Sequence, residues 1–546
     1  MSKAIFHFLQ LLLASVSTLY SQGVQKSNIS AEKLASPIAL TGNGFIRGMI
    51  ESSNVAIFLG IPYALPPVGS LRWKQPVDPK NWRDTLATLF YGPSCPQDSK
   101  DNDPTNEDCL YLNVFTTSTS LNEATAKKPV MFWIHGGGFG GGSARRYDGR
   151  VLARKGVVVV TINYRVGPFG YFCHPALAAS PANKGAGNYG LLDQIAALKW
   201  VKKNITAFGG NPNNVTIWGE SAGAFSVGAL LASPLAKDLF QKAILESGTG
   251  LINGIQSKVS ATQYAISVAK TLGIEGSDTT TLKALYALSA EQLVAICTRP
   301  KTPRLQNFFI WFSPIVDGWA LPLPLDKAIA QNKWNSVPLL LGSNANEGTY
   351  FEREKPTNDT GEYYNLLGKG SLGDNSGILK ATYAVKDSDD ILEKSQELVG
   401  DFGFGAPARA LARMTTLKNG KAFLYHFTRT STDKTGMHIK ALHSTELPFV
   451  FGYTLDKWLP YKQINGTNPK DTFLAQTMCD YWTNFAKYGN PNGHASDNNL
   501  PTWPVYKINN NSYLELGDII KQGTNLRKVQ YDAIDQFSKQ KGELRY

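Results

Sequence analysis

The sequence has little of what marks several classes of protein. It has five cysteines and seven histidines in 546 residues, with no CxxC, HExxH or other Cys/His cluster, so we expect no metal site. It has no repeat, no low-complexity tract and no Pro/Gly/Ser linker long enough to separate domains. Hydrophobic residues make up 42% and charged residues only 18%, a balance typical of a globular chain and not of a disordered one.

Basic residues outnumber acidic residues, but they do not cluster. Lysine and arginine total 55 against 43 acids, which gives a net charge of +12. A nucleic-acid-binding protein gathers such residues in a run or stripe, whereas the longest clusters here are pairs such as Lys127/Lys128 and Arg145/Arg146. We therefore expect a solvated basic surface and no nucleic-acid partner.

The N-terminus has the pattern of a targeting segment. Lys3 precedes an apolar run over 4–14 that two polar residues interrupt, and small and polar residues follow it. This pattern predicts a secretory signal over 1–22, followed by a polar segment over 23–37. A membrane-spanning helix needs about 20 apolar residues, and no later stretch is long enough. The prediction is an exported protein, periplasmic or extracellular, without a stable membrane anchor.

From residue 38 to residue 546, short apolar runs alternate with helical stretches. Nearly continuous apolar runs are typical of strands buried on both faces, and helical periodicity separates them. The sequence therefore predicts one large α/β domain, with a mostly parallel central sheet flanked by helices and with helical insertions such as 353–400. Strands are predicted at 130–134, 157–162, 215–218 and 337–341, and helices at 191–205 and 222–232.

The motif Gly219-Glu220-Ser221-Ala222-Gly223 joins a predicted strand to a predicted helix. In a GxSxG turn of this kind the serine sits on a strained elbow that projects its hydroxyl clear of the sheet, and glycines give the turn room. Ser221 is therefore a candidate nucleophile. A serine hydroxyl needs a base to take its proton and donors to stabilise the oxyanion that forms.

The donors are predicted in the segment His135-Gly136-Gly137-Gly138, directly after the strand at 130–134. The backbone amides of Gly137 and Gly138, together with that of Ala222, are the candidate oxyanion hole. The same segment satisfies GxGxxG through Gly136, Gly138 and Gly141. That dinucleotide fingerprint needs a helix to receive the pyrophosphate, and the following residues do not begin one. We therefore expect no nucleotide and no other cofactor.

The acid and the base should follow the nucleophile along the chain. Glu347 comes shortly after the strand predicted at 337–341, which makes it the candidate acid. Two histidines, His438 and His443, share the loop before the apolar run at 447–451. Spacing alone does not choose between them.

Several further motifs make the chain resemble the type-B carboxylesterase and lipase family of α/β-hydrolases, which includes cholinesterases. The resemblance runs from about residue 40 to about residue 535. It rests on the Gly136–Gly138 loop, on the GxSxG motif, and on the segments Phe58-Leu59-Gly60-Ile61-Pro62-Tyr63-Ala64, Leu71-Arg72-Trp73 and Glu107-Asp108-Cys109-Leu110-Tyr111-Leu112-Asn113-Val114.

The resemblance implies Ser221 as nucleophile, Glu347 as acid and His443 as base. It also implies a disulfide between Cys95 and Cys109 and an ion pair between Arg72 and Glu107. Candidate pocket residues, which as an aromatic cluster could equally be core, are Phe139, Phe308, Phe309, Trp311 and Phe312.

The function predicted from these residues is a secreted serine hydrolase of small to medium soluble carboxylic esters. Only 13 residues separate Cys95 from Cys109, and none is tryptophan, which argues against a cholinesterase and against a large lid in that loop. The alternatives are a lipase acting on aggregated acylglycerols, an amidase with the same residues, and a non-catalytic adhesion protein of the same fold.

Overall fold

The computed structural model describes most of the chain beyond the predicted leader. The described ranges are 36–51, 54–98, 103–117, 126–178, 185–296, 312–368, 372–373, 376–432, 438–452, 468–494 and 500–542. Residues Pro37–Tyr546 form one compact unit. Within the described ranges, no helix is both long and apolar enough to cross a membrane. The predicted signal at 1–22 and most of the polar segment at 23–37 lie outside these ranges.

The strands and helices follow the alternation that the sequence predicts. The strands are β1 (Ile38–Thr41), β2 (Gly44–Arg47), β3 (Met49–Ile50), β4 (Ala56–Pro62), β5 (Leu86–Ala87), β6 (Tyr111–Thr116), β7 (Lys128–Ile134), β8 (Val158–Ile162), β9 (Gly210–Glu220), β10 (Lys242–Glu246), β11 (Gln256–Ser257), β12 (Ile315–Val316), β13 (Leu339–Asn344), β14 (Ala422–Phe427), β15 (Ser431–Thr432), β16 (His438–Ile439), β17 (Tyr513–Leu516) and β18 (Lys521–Gly523). The α-helices are α1 (Arg150–Arg154), α2 (Gly167–Tyr171), α3 (Pro175–Ala178), α4 (Tyr189–Asn204), α5 (Ala222–Ala232), α6 (Lys258–Thr271), α7 (Thr279–Ala287), α8 (Ala290–Ala295), α9 (Leu325–Ala330), α10 (Glu347–Phe351), α11 (Thr360–Leu367), α12 (Gly377–Thr382), α13 (Asp390–Gly400), α14 (Ala406–Leu417), α15 (Leu447–Phe451), α16 (Pro469–Tyr488) and α17 (Lys528–Gln540).

A large mixed sheet forms the centre of the unit. Its described strands number eleven, in the order β18-β17-β14-β13-β10-β9-β7-β8-β6-β4-β3. The strands from β17 to β8 in this order run parallel to their neighbours, while both ends of the sheet are antiparallel. The prediction of a mostly parallel sheet flanked by helices is confirmed. The carboxyl ends of β9, β10 and β13 lie side by side and position the candidate site.

Both faces of the central strands of this sheet are buried, as the apolar runs predict. Along β7, Phe132 and Ile134 belong to one core cluster, together with residues of α5. The intervening Trp133 belongs to a second cluster, together with residues of α16. Because side chains alternate between the faces of a strand, a strand covered by helices on both sides must be apolar at every position.

The strand before the candidate nucleophile is longer than the apolar run indicates. β9 begins at Gly210, whereas the sequence predicted a strand over 215–218. Its first half carries half-exposed polar residues, so it gives no apolar signal. The helix that follows, α5, begins at Ala222 and ends at Ala232, as predicted.

The polar stretch at 353–400 forms helices α11 to α13, as expected of an insertion. They bury a separate apolar cluster that includes Tyr363 and Leu398 and also Ile534 of α17. Helix α17, the last that the structure describes, therefore covers the insertion. This packing keeps the insertion beside the segment that carries Glu347.

The structure contains the disulfide and the ion pair that the family resemblance implied. Cys95 and Cys109 are bonded, with their Cα atoms 5.0 Å apart. The guanidinium of Arg72 donates from Nε to Oε2 of Glu107 over 2.7 Å and from Nη1 to the carbonyl of Leu288 over 2.6 Å. Arg72 therefore ties the disulfide loop, which contains Glu107, to the loop between α7 and α8.

Candidate active site

Ser221 lies on a sharp turn between β9 and α5. Its backbone has φ 56° and ψ −121°, a conformation that a non-glycine residue adopts only when its surroundings enforce it. The amide of Ser221 donates to the carbonyl of Glu246 over 2.9 Å, and its carbonyl accepts from the amide of Phe225. These two bonds hold the turn between the neighbouring strand β10 and the first turn of α5.

The second glycine of the GxSxG motif, Gly223, is required by close packing. A Cβ atom at this position would lie 2.0 Å from the backbone oxygen of Ile134. No side chain fits in that space, since the helix start packs directly against the end of β7. The glycine therefore lets α5 begin immediately after Ser221.

Glu347 is the first residue of α10, in the turn that follows β13. Its side chain is buried, with 1% of its surface exposed. Oε1 accepts hydrogen bonds from the amide of Asn344 over 2.8 Å and from the hydroxyl of Ser247 over 2.5 Å. These donors leave Oε2 to face His443, so the local fold fixes the orientation of the carboxyl group.

His443, and not His438, is the histidine that meets this acid. Nδ1 of His443 lies 2.5 Å from Oε2 of Glu347. His438 is exposed in the short strand β16. Of the two histidines that spacing left open, the fold brings His443 to Glu347. An ionised carboxylate only accepts hydrogen bonds, so this contact places a hydrogen on Nδ1.

A second carboxyl group faces the other ring nitrogen. Oε1 of Glu220 lies 3.1 Å from Nε2 of His443 and also accepts from the hydroxyl of Ser444 over 2.5 Å. Burial raises the pKa of Glu220, while His443 and the Ser444 hydroxyl oppose this rise by favouring its charged form. The sequence pattern assigns Glu220 no role, although this residue occupies the variable position just before Ser221 in the GxSxG motif.

The glycine loop lies against the nucleophile turn. A Cβ atom at Gly136 would come within 2.7 Å of Oε2 of Glu220 and 3.2 Å of the Cβ of Ser221. Gly137 has φ +113°, and a Cβ there would lie 2.2 Å from the carbonyl oxygen of Gly141. The loop therefore requires glycine at both positions, and Gly136 packs directly against the turn that carries Ser221.

His135, at the start of this loop, is a buried and neutral residue that packs against it. Its ring stacks on Tyr164 with centroids 4.4 Å apart, and Nδ1 lies 2.8 Å from the carbonyl oxygen of Gly136. Burial lowers the pKa of His135 to about 4. Since it stays uncharged at neutral pH, His135 acts as a rigid support for the loop.

In the part of the chain that the structure describes, the rings of Phe404, Phe351 and Tyr350 pack around the imidazole of His443. The rings of Phe404, Phe351 and Tyr350 have centroids 4.8, 4.9 and 5.7 Å from it. Phe351 and Tyr350 stand on α10 beside the acid, whereas Phe404 comes from a π-helical turn at Asp401–Gly405. None of these three residues was predicted from the sequence. The position of Phe404, 39 residues before His443, gave no local signal.

The predicted pocket residues fall into two groups. Phe308, Phe309 and Trp311 lie outside the described residues. Phe139 has none of its surface exposed and packs edge to face on Tyr171, with centroids 5.2 Å apart. Phe312 is 5% exposed and packs on Tyr264 in the main core cluster. Their assignment to a substrate pocket stays a prediction.

Among the described residues, no group of three His, Cys, Asp or Glu side chains is arranged to hold a metal ion. Directly before Ser221, the carboxyl group of Glu220 contacts both the imidazole of His443 and the hydroxyl of Ser444. A hydroxyl on a strained turn, an imidazole fixed by a buried carboxyl and a loop of backbone amides are the elements of acyl transfer.

Comparison with known proteins identifies the family. The chain matches the carboxylesterase family over residues 35–534 and belongs to it. It is therefore a carboxylic ester hydrolase with an α/β-hydrolase fold, and small-molecule esters are its class of substrate. This agrees with the resemblance found in its motifs.

Individual relatives cover most of the chain. The para-nitrobenzyl esterase of Bacillus subtilis (strain 168) is 38% identical over 487 residues, which cover 86% of this chain and 92% of that protein. The fumonisin B1 esterase of Sphingopyxis macrogoltabida is 35% identical, with 86% and 84% covered.

Among solved structures, a para-nitrobenzyl esterase superposes with a TM-score of 0.75 at 35% identity, covering 91% of this chain and all of that one. A carboxylesterase of Geobacillus stearothermophilus superposes with a TM-score of 0.78 at 30% identity, covering 91% and 99%.

Proposed function

We propose that this carboxylesterase works through Ser221 as nucleophile, His443 as general base and Glu347 as the acid that orients the histidine. The observation that carries the proposal is the 2.5 Å contact between Nδ1 of His443 and Oε2 of Glu347. It occurs beside a strained serine turn whose preceding residue, Glu220, also reaches the imidazole. Gly137, Gly138 and Ala222 supply the backbone amides of the proposed oxyanion hole.

In the first half of the reaction, Oγ of Ser221 attacks the ester carbonyl carbon while Nε2 of His443 takes its proton. The carbonyl oxygen becomes an oxyanion that the amides of Gly137, Gly138 and Ala222 stabilise. The imidazolium then donates from Nδ1 to Glu347. When the carbon–oxygen bond of the ester breaks, Nε2 returns the proton to the leaving alcohol.

In the second half, a water molecule attacks the acyl group on Ser221 and gives its proton to Nε2 of His443. The tetrahedral intermediate collapses, the carboxylic acid leaves, and Ser221 recovers its proton. Because Glu347 is buried and held by Asn344 and Ser247, it supports the imidazolium without reorganising during either half.

We infer that the substrates are small to medium soluble esters and that the protein is exported. The short loop between Cys95 and Cys109 supports the first point, since it leaves no room for a large lid there. The same disulfide supports the second, because such bonds persist in oxidising compartments. A lipase acting on aggregated esters is the competing proposal.

The test is hydrolysis of chromogenic esters from acetyl to palmitoyl, below and above the solubility limit of the long chains. We expect turnover of the short soluble esters by the parent protein. Ser221→Ala and His443→Ala should lower kcat by about four to six orders of magnitude. His438→Ala is the matched control, because His438 is an exposed histidine of the same segment, and it should match the parent.

Two results would change the proposal. A sharp rise in rate once the long-chain ester aggregates would favour the lipase. Parent-like activity in His443→Ala, with loss in His438→Ala, would remove His443 as the base. Export is tested separately by N-terminal sequencing of the protein secreted from a host with a general secretion pathway, where an intact Met1 would contradict it.

A further inference from the structure

Glu246 lies directly beside Glu220, one strand further along the sheet. It is the last residue of β10, and the parallel pairing of β10 with β9 sets it opposite Glu220. Residues paired in this way point to the same face of the sheet. Glu220 is 3% exposed and Glu246 is 0% exposed. Two carboxyl groups are therefore buried side by side beneath the proposed active site.

Both the backbone and the side chain of Glu246 make hydrogen bonds close to the proposed active site. Its carbonyl accepts the amide hydrogen of Ser221 over 2.9 Å. Its Oε1 accepts from Nε1 of Trp482 over 2.7 Å. The next residue, Ser247, donates to Glu347. A disturbance at Glu246 thus reaches both the nucleophile turn and the acid.

The groups that face Glu246 are mostly acidic. They are Glu220 from β9, Glu446 directly before α15, Tyr425 from β14 and Tyr147 before α1. Burial, opposed by the Trp482 hydrogen bond and reinforced by the charge of Glu220, raises the pKa of Glu246 to about 8. Burial and the neighbouring glutamates also raise the pKa of Glu446 well above its usual range.

Hydrogen bonding also distinguishes Glu220 from Glu246. Glu220 faces His443 and accepts from the hydroxyl of Ser444, so it is the better stabilised as an anion. Glu246 has the indole of Trp482, while its Oε2 is buried without a hydrogen-bond partner among the described residues. The hydroxyl of Tyr425 is likewise buried without a hydrogen-bond partner among the described residues. A proton on Glu246 gives this region a donor that a carboxylate lacks.

We propose that Glu246 is a positioning residue that works as an uncharged, protonated acid and thereby lets Glu220 keep its negative charge against Nε2 of His443. This inference rests on the proposed function. When the O–H bond of Glu246 breaks and the proton leaves for bulk water, two like charges face each other across β9 and β10. Their repulsion disturbs the contact of Glu220 with His443, and activity falls.

The test is the pH dependence of kcat/KM for a soluble ester, with each profile compared with its own maximum. The parent should lose activity with an apparent pKa of about 8. Glu246→Gln keeps an uncharged acceptor for Trp482, so its alkaline limb should move up by at least about one pH unit. Trp482→Phe removes a hydrogen bond that favours the charged form, so it should also move the limb upward.

The matched control is Glu275→Gln, the same chemical change at an exposed glutamate on the protein surface. Its profile should coincide with that of the parent. An identical alkaline limb in the parent and in Glu246→Gln would overturn the inference. The position of the limb matters here, because a purely structural role would change the rate at every pH.

Infrared difference spectroscopy gives a second measurement that does not need activity. At neutral pH the parent should show the carbonyl band of a protonated carboxylic acid that Glu246→Gln lacks, and the band should vanish by about pH 10. If the parent and the variant show the same band, Glu246 is not protonated and the inference is wrong. If the parent hydrolyses no ester but the band is present, the proposed function has failed while the proton on Glu246 stands.

Discussion

The imidazole of His443 lies between two buried carboxyl groups, with Glu347 2.5 Å from Nδ1 and Glu220 3.1 Å from Nε2. A neutral imidazole carries one ring hydrogen, whereas the imidazolium carries two and can donate to both acids at once. The arrangement therefore favours the charged ring that forms after the proposed transfer from Ser221. Glu220 therefore shares the ring nitrogen that takes the serine proton in the proposed mechanism.

Replacing Glu347 by Gln should lower kcat on the order of 10⁴-fold while the protein stays folded. The amide preserves the shape but no longer stabilises the imidazolium or selects its tautomer. Steady-state kinetics on a soluble ester measures the effect, and circular dichroism checks the fold. Glu275→Gln serves as the surface control. A loss of less than about tenfold would argue against Glu347 as the triad acid.

Ser247→Ala should lower kcat by about tenfold to a hundredfold, with little change in KM. The variant loses the 2.5 Å hydrogen bond to Oε1 of Glu347, and bonds to charged groups contribute about 1.5–3 kcal/mol. Ser247→Thr keeps the hydroxyl and should recover part of the loss. Equal activity in Ser247→Ala and the parent would show that Asn344 alone orients the acid.

Glu220→Gln should move the acidic limb of kcat/KM to lower pH. The carboxylate favours the protonated imidazole, so its removal makes protonation of His443 harder and extends the active range downward. The pH profile measured from about pH 5 to about pH 8 tests this sign. An unchanged acidic limb would mean that Glu220 carries no charge beside His443 in the resting protein.

Gly137→Ala should lower kcat by about 10²–10³-fold, because its Cβ would collide with the carbonyl of Gly141 and turn the loop amides away from the oxyanion. Gly140→Ala is the control within the same loop, since a Cβ there meets no atom within 4 Å. Both variants are compared by kcat and KM. If they behave alike, the conformation of Gly137 is not needed for catalysis.

The free energy of unfolding of Glu246→Gln, relative to that of the parent, should increase as the pH rises. Glu246 has a pKa of about 8 in the folded protein against an ordinary value of 4.5, so the folded state retains a proton that the unfolded state loses. The stability that Glu246 contributes is therefore fully present below about pH 4.5 and is lost as the pH rises to about 8. Urea unfolding at several pH values measures the difference, and a gap that does not change with pH would contradict it.

Much of this protein follows from sequence alone, because the signals are local. Buried parallel strands must be apolar at every position, so β7, β8 and β13 are visible as short runs. Helix α5 could be placed to the residue, since the GxSxG turn fixes where it begins. The start of β9 could not be predicted, because the first half of this strand consists of polar, half-exposed residues that give no apolar pattern. Helical periodicity also identified the insertion at 353–400.

The tertiary structure alone decided which side chains meet. His438 and His443 are equivalent by spacing, and only the fold brings one of them to Glu347 while it leaves the other exposed. The contacts of Phe404 and Glu246 with the site also join segments far apart in the chain. Sequence determines which residues are buried on each strand and helix, because burial follows from local pattern. The register and packing of neighbouring strands determine how many carboxyl groups share one buried space, and hence which of them must keep a proton.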